Sequence, residues 1–174
     1  SLDADERSRL LTAVREAVAG RAPVLAGTGA PSARQAVGLS QRAAADGADA
    51  LLVLSPPGTD DPRPYYDAVA RAVDVPVLAY HFPTMSAPGI PVDLLCDLPV
   101  AGVKDSSGDP TRLAVEIDQV GAGVYTGSAA LLLQARAREL GVEMQFETVF
   151  KSAEEYRKDY DLVVGCDGIN SLVR

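Results

Sequence analysis

Five short apolar runs recur along the first three quarters of this 174-residue chain, and no other feature constrains its fold as strongly. They are "APVLAG" (Ala22–Gly27), "ALLVLSPP" (Ala50–Pro57), "VPVLAY" (Val75–Tyr80), "VAGVKD" (Val100–Asp105) and "GVYTG" (Gly123–Gly127). The interval of about 22 to 28 residues is the length of one strand plus one crossover helix. The runs are apolar throughout rather than alternating, as strands buried on both faces of a parallel sheet are. Helical patterns lie between them. "SARQAVGLSQRAAADG" places apolar residues at helical intervals and stops at Gly47, a residue suited to the end of a helix. "PRPYYDAVARAV" and "PTRLAVEIDQVG" follow the same plan, and Ser32, Asp61 and Asp109 supply cap side chains at the helix starts.

Five successive βα units with right-handed crossovers fit either part of a (β/α)8 barrel or an open doubly wound sheet. Small and polar residues follow each strand: "GTGA", "SPPG", "YHFP", "KDSSGD" and "TGSA". In a barrel these strand ends ring one mouth, where active sites lie. Lys104, Tyr80, Thr28, Ser55 and Thr126 are then expected to converge although they are far apart in sequence.

Charge and cysteine usage narrow the function classes. The formal charge is −8, which argues against nucleic acid or an anionic membrane as a partner. No apolar run approaches the ~20 residues of a membrane span. The start, "SLDADERSRLL", lacks the basic-then-apolar pattern of a secretory signal, so a cytoplasmic location is expected. Cys96 and Cys166 give neither a disulfide framework nor a metal-ligand spacing, and no metal is expected.

A lysine closing a buried strand has two readings. It snorkels, with Tyr80 a partly polar core residue. Or it is a nucleophile: semi-apolar surroundings favour the neutral amine, which attacks a carbonyl to form a Schiff base, an electron sink for making or breaking the adjacent C–C bond. Such chemistry needs a proton shuttle, and Tyr80 at the end of the preceding strand is the natural one. His81, the only histidine, reads as a structural strand-end residue.

From Leu2 to Leu132 the chain resembles the dihydrodipicolinate synthase/N-acetylneuraminate lyase family of class I pyruvate aldolases. The resemblance rests on "PVLAGTGAPSARQAVGLSQRAAADGADALLVLSPP", "VPVLAYHFP" and "GVKDSSGDPTRL". It implies a (β/α)8 barrel, no cofactor, a small 2-oxo acid substrate, Lys104 as the Schiff-base lysine and Tyr80 as the catalytic tyrosine. Thr28, Ser55 and Thr126 are expected to shape the pocket. The family's first two βα units, with a Gly-Thr-Thr-Gly-Glu loop that helps bind the substrate carboxylate, have no counterpart in this sequence. Met85 stands where dihydrodipicolinate synthases usually carry an arginine, which implies a sugar acid or another 2-oxo acid as substrate. A partial barrel leaves open sheet edges, and a homo-oligomer is expected.

The last forty residues break the repeat. "DLVVGCDGINSLVR" (Asp161–Arg174) resembles the Asp-Gly motif of FAD-dependent aromatic monooxygenases, whose FAD domain is Rossmann-like. The resemblance implies that Gly165, Asp167 and Gly168 lie near the FAD pyrophosphate and the NAD(P)H path. The G-x-G-x-x-G fingerprint is absent from the chain, so FAD or NAD(P)H is expected only with a complete domain. The expected organisation is α/β throughout: a partial barrel over residues 1–132 and a flavin-domain fragment over 133–174, joined near Ser128–Leu140. Three readings follow: a Schiff-base aldolase fragment, a flavin monooxygenase fragment, and a catalytically silent chimera.

Overall fold

The computed structural model describes residues 2–128 and, beyond them, 133, 136, 137 and 139–142. Five strands alternate with five helices: α1 (Ala4–Val18), β1 (Leu25–Gly27), α2 (Ala33–Ala45), β2 (Ala50–Leu54), α3 (Arg63–Ala70), β3 (Val77–His81), α4 (Val92–Cys96), β4 (Gly102–Asp105), α5 (Pro110–Gln119) and β5 (Gly123–Thr126). The strands fall within or one residue beyond the apolar runs. Ser32 and Asp109 cap α2 and α5, and Gly47 follows α2 at φ +90°. Asp61 sits one residue outside the cap of α3, where its carboxylate accepts from Arg63 N–H at 3.1 Å. The repeat does not disclose α1 or α4. The signal for α1 is local: Asp3 accepts from the N–H groups of Asp5 and Glu6, and Glu6 accepts from Asp3 N–H in return. That D-x-x-E reciprocity stabilises the first turn of a helix. The five-residue α4 is too short to show a period.

All four strand pairings are parallel, and the order is β1-β2-β3-β4-β5. A doubly wound sheet reverses its strand order at a switch point; among the described strands this one does not. Each strand lies beside its sequence neighbour, the arrangement of one wall of a (β/α)8 barrel.

The two faces of the sheet differ. Leu51, Val53, Val77, Ala79 and Val103 point one way and pack with Ala36, Ala43, Tyr66, Val69 and Leu95 of the helices into one apolar core. Tyr66, wholly buried, donates its hydroxyl to Val53 O at 2.9 Å. The alternate residues, Leu25, Leu52, Leu54, Leu78, Tyr80, Lys104 and Tyr125, share the opposite face, which would be the inside of a barrel. Leu25 and Tyr125 on that face are 46% and 55% exposed.

Close approach between β4 and β5 depends on glycine. A Cβ on Gly102 would stand 2.5 Å from Gly123 O and 3.2 Å from the Tyr125 ring. Backbone cannot swing away as a side-chain tip can. Gly102→Ala is therefore expected to destabilise the fold by about 1–3 kcal/mol, the usual range for forced overpacking. Urea unfolding followed by circular dichroism measures this, and an unchanged midpoint would show that β5 shifts freely.

Candidate active site

Parallel register decides which strand-end side chains meet. Tyr80 of β3 pairs with Lys104 of β4, and Lys104 pairs with Tyr125 of β5. Residues paired in register point to the same face. The Lys104 Nζ lies 4.1 Å from the centroid of the Tyr80 ring, within the range of a cation–π contact. Phe82, two residues on and so on the same face, stacks on Tyr80 with centroids 5.7 Å apart. This aromatic pair forms an apolar wall beside the amine.

Ser106 continues β4 past its last strand residue, with its N–H donating to His81 O at 2.9 Å. It lies two residues after Lys104, on the same face. Burial pushes the Tyr80 hydroxyl up, but hydrogen bonds with Ser106 and Lys104 and the positive amine outweigh it, and the phenol is held below its ordinary range. A phenol lowered in this way is better matched to proton transfer near neutral pH.

Thr28, Ser55 and Thr126 end their strands at the same edge of the sheet but do not meet Lys104. Their parity is that of Val53, His81 and Asp105, so they face the helices. Thr28 is 2% exposed and accepts from the Ser40 hydroxyl of α2 at 2.9 Å. Ser55 is also buried; its carbonyl accepts from Ser86 Oγ–H, and its hydroxyl has no partner among the described residues. Thr126 Oγ1 accepts from Ser128 N–H at 3.2 Å. The structure therefore brings Lys104 and Tyr80 together, and Phe82, Ser106 and Tyr125 share their face of the sheet. Period-2 spacing from Tyr80 and Lys104 was the signal for Phe82 and Ser106. Met85 is exposed, 68%, in the loop after β3.

On the helix-facing side, directly behind Lys104, a buried ionic cluster closes the strand ends. His81 Nδ1 accepts from Ile90 N–H at 2.9 Å, which leaves the proton of the neutral ring on Nε2, 3.9 Å from Asp105 Oδ2. Burial and the Arg112 charge depress this imidazole to about 4, against the opposing pull of Asp105. The histidine is a structural anchor for the chain at Ile90. Asp105 Oδ1 accepts from the N–H and hydroxyl of Ser107, and Oδ2 accepts from Arg112 Nε at 2.9 Å. The turn that follows Lys104 is thereby tied to α5.

A family model described as the dihydrodipicolinate synthetase family matches residues 1–145. The chain belongs to that family. Among family relatives, an uncharacterized DapA-like lyase of Halobacterium salinarum is 41% identical over 126 residues, which are 67% of this chain and 41% of the relative. A 4-hydroxy-tetrahydrodipicolinate synthase of Pseudomonas aeruginosa is 35% identical over 144 residues, 77% of this chain and 49% of the relative. The chain thus spans about half the length, or less, of these curated relatives. Among solved structures, a dihydrodipicolinate synthase of Bacillus anthracis superposes with a TM-score of 0.74 at 27% identity, over 79% of this chain and 50% of that one. A chloride-inhibited dihydrodipicolinate synthase of Acinetobacter baumannii, complexed with pyruvate, gives 0.69 at 31% identity over 73% and 47%. The sequential parallel sheet is therefore part of the barrel of this family. These similarities lend no support to a flavin-binding segment, and Gly165, Asp167 and Gly168 lie outside the described residues. No helix among the described residues is long and apolar enough to cross a membrane.

Proposed function

We propose that the chain carries the Schiff-base half of a class I aldolase site, on the barrel portion of residues 1–132, for a small 2-oxo acid such as pyruvate or a sugar-derived acid. The observation that carries this reading is the in-register pair, with Lys104 Nζ 4.1 Å from the Tyr80 ring centroid at the carboxyl edge of the sheet. The neutral amine attacks the ketone carbon. Tyr80 gives a proton to the resulting carbinolamine oxygen, which leaves as water, and the iminium remains on Lys104. The iminium is itself the electron sink, so the step needs no bound cofactor. The Acinetobacter relative, solved with pyruvate, supports a keto acid as ligand. Met85 in place of an arginine favours a substrate other than that of lysine biosynthesis. The outer edges of β1 and β5, unpaired among the described residues, support self-association.

Lysine usage supports the nucleophile over the snorkelling side chain. Lys104 is the only lysine before Lys151, and every other basic side chain in that stretch, His81 aside, is an arginine. Arginine supplies charge but cannot shed its proton to form an imine. Incubation with pyruvate and sodium borohydride, followed by peptide mass mapping, tests the proposal. The expected result is a reduced adduct on the Lys104 peptide; labelling confined to Lys151 or Lys158, or none, overturns it.

A further inference from the structure

The ionic cluster behind Lys104 contains one carboxyl more than its cation can neutralise. Arg112 Nε bonds Asp105 Oδ2 at 2.9 Å, and Arg112 Nη2 lies 2.7 Å from Glu116 Oε1. Asp105 and Glu116 are 1% and 0% exposed, and Arg112 is nearly buried. Neither Glu116 oxygen has a well-aligned hydrogen bond among the described residues. Two ionised carboxylates sharing one guanidinium in a dry site leave a net buried negative charge, which is costly. A proton on one of them removes that cost.

We infer that Glu116 is the group that carries this proton on the acid side of neutrality, and that it is a positioning residue for Lys104, acting through Arg112 and Asp105. With Glu116 neutral, the guanidinium is committed to Asp105, whose other oxygen holds the turn through Ser107 N–H at 2.8 Å and Oγ at 2.6 Å. That turn contains Ser106 and directly follows Lys104 at the end of β4. When Glu116 ionises, it competes for Arg112, and the grip of α5 on the turn weakens. Burial is the largest influence on this carboxyl and raises it to about 7; Arg112 pulls it down, and the neighbouring Asp105 pushes it up. The charged groups that bear on it are Arg112 on its own helix and Asp105 on β4, with His81 of β3 acting on Asp105. The titratable groups of α4, Asp93, Cys96 and Asp97, are exposed, and Tyr125 of β5 faces the other side of the sheet.

The sign of the linkage is definite. The folded chain holds the Glu116 proton more tightly than the unfolded chain does, so this group's contribution to stability falls as pH rises from about 4.5 to about 7. His81, depressed in the fold, contributes the opposite slope between about 4 and 6.5. The two oppose each other in the wild type. Glu116→Gln removes the first slope and is expected to leave stability rising with pH across that window.

Two measurements test the inference without relying on aldolase chemistry. Carboxyl ¹³C NMR of the unmodified protein is expected to give a Glu116 midpoint near 7; a midpoint in the ordinary carboxylate range overturns the inference. Hydrogen exchange of residues 104–109, corrected for intrinsic rates, is expected to lose protection through the same midpoint in the wild type. Glu116→Gln should abolish that transition while remaining protected at pH 8. Identical profiles in both proteins overturn the positioning role. A third arm follows pyruvate–borohydride labelling of Lys104 against pH. Its role in the reaction rests on the aldolase reading, and an exchange transition with no labelling at any pH would overturn that reading while leaving the clamp intact. Labelling whose pH profile is unchanged by Glu116→Gln would overturn the positioning role alone.

Discussion

Arg112→Met is expected to destabilise the protein by about 3–5 kcal/mol at pH 8, the range for removing one partner of a buried ion pair. Methionine keeps most of the stem volume, so the loss isolates the charge. At pH 8 it leaves two buried carboxyl groups, Asp105 and Glu116, with no cation between them, so that either a proton is taken up or charge stays unpaired in a dry site. At pH 5 Glu116 already carries its proton in the wild type, so the loss is smaller. A small domain has only about 5–15 kcal/mol of stability in total, and a change of this size is large against it. Urea unfolding of wild type and variant at the two pH values measures both the loss and its pH dependence. A loss below about 1 kcal/mol at pH 8, typical of exposed pairs, would mean that water reaches the cluster. Replacing Arg112, Asp105 and Glu116 together by apolar residues should cost less than the single change, because no charge is then left unpaired. The penalty lies in the stranded groups rather than in the value of the pair.

The same cluster marks where reading the sequence stops. The βα repeat made the strands, the parallel sheet and the three longer crossover helices after β1 legible, because continuous apolar runs and 3.6-residue stripes record burial directly. Monotonic strand order was not legible, since a barrel wall and a doubly wound sheet share one local pattern. The placement of Tyr80 beside Lys104 followed from strand ends and family resemblance. The assignment of Thr28, Ser55 and Thr126 to the same pocket did not survive the register. Parity within a strand is written in the sequence, but parity between strands depends on which residue pairs with which. One residue of offset turns a pocket side chain into a helix-facing one. Thr28 shows the consequence: on the helix-facing side its hydroxyl accepts from Ser40 of α2. Glu116 left a fainter signal. It occupies a stripe with Leu113 and Val120, both buried, where a charged residue is out of place. Only the contact with Arg112, which Asp105 shares, gives that anomaly a reason.

Lys104→Ala is expected to abolish pyruvate–borohydride labelling of its peptide, and Tyr80→Phe to slow it by about 10²-fold or more. The two variants separate nucleophile from proton carrier. Alanine has no amine, so no imine forms at any substrate concentration. Phenylalanine keeps the ring that Lys104 Nζ faces at 4.1 Å and keeps the stack with Phe82. It therefore leaves the amine in place and removes only the hydroxyl. If Tyr80 delivers the proton that expels water from the carbinolamine, the variant should form adduct slowly yet reach the same final yield. Its pH profile should also lose the limb set by the phenol, which in the wild type is held below its ordinary range by Ser106 and Lys104. Single-turnover labelling with timed borohydride quench, read by intact mass, gives both rate and yield. Unchanged kinetics in Tyr80→Phe would remove the tyrosine from the mechanism and leave it as the apolar wall of the lysine. A fall in final yield with no change in rate would instead mean that the hydroxyl holds the bound keto acid.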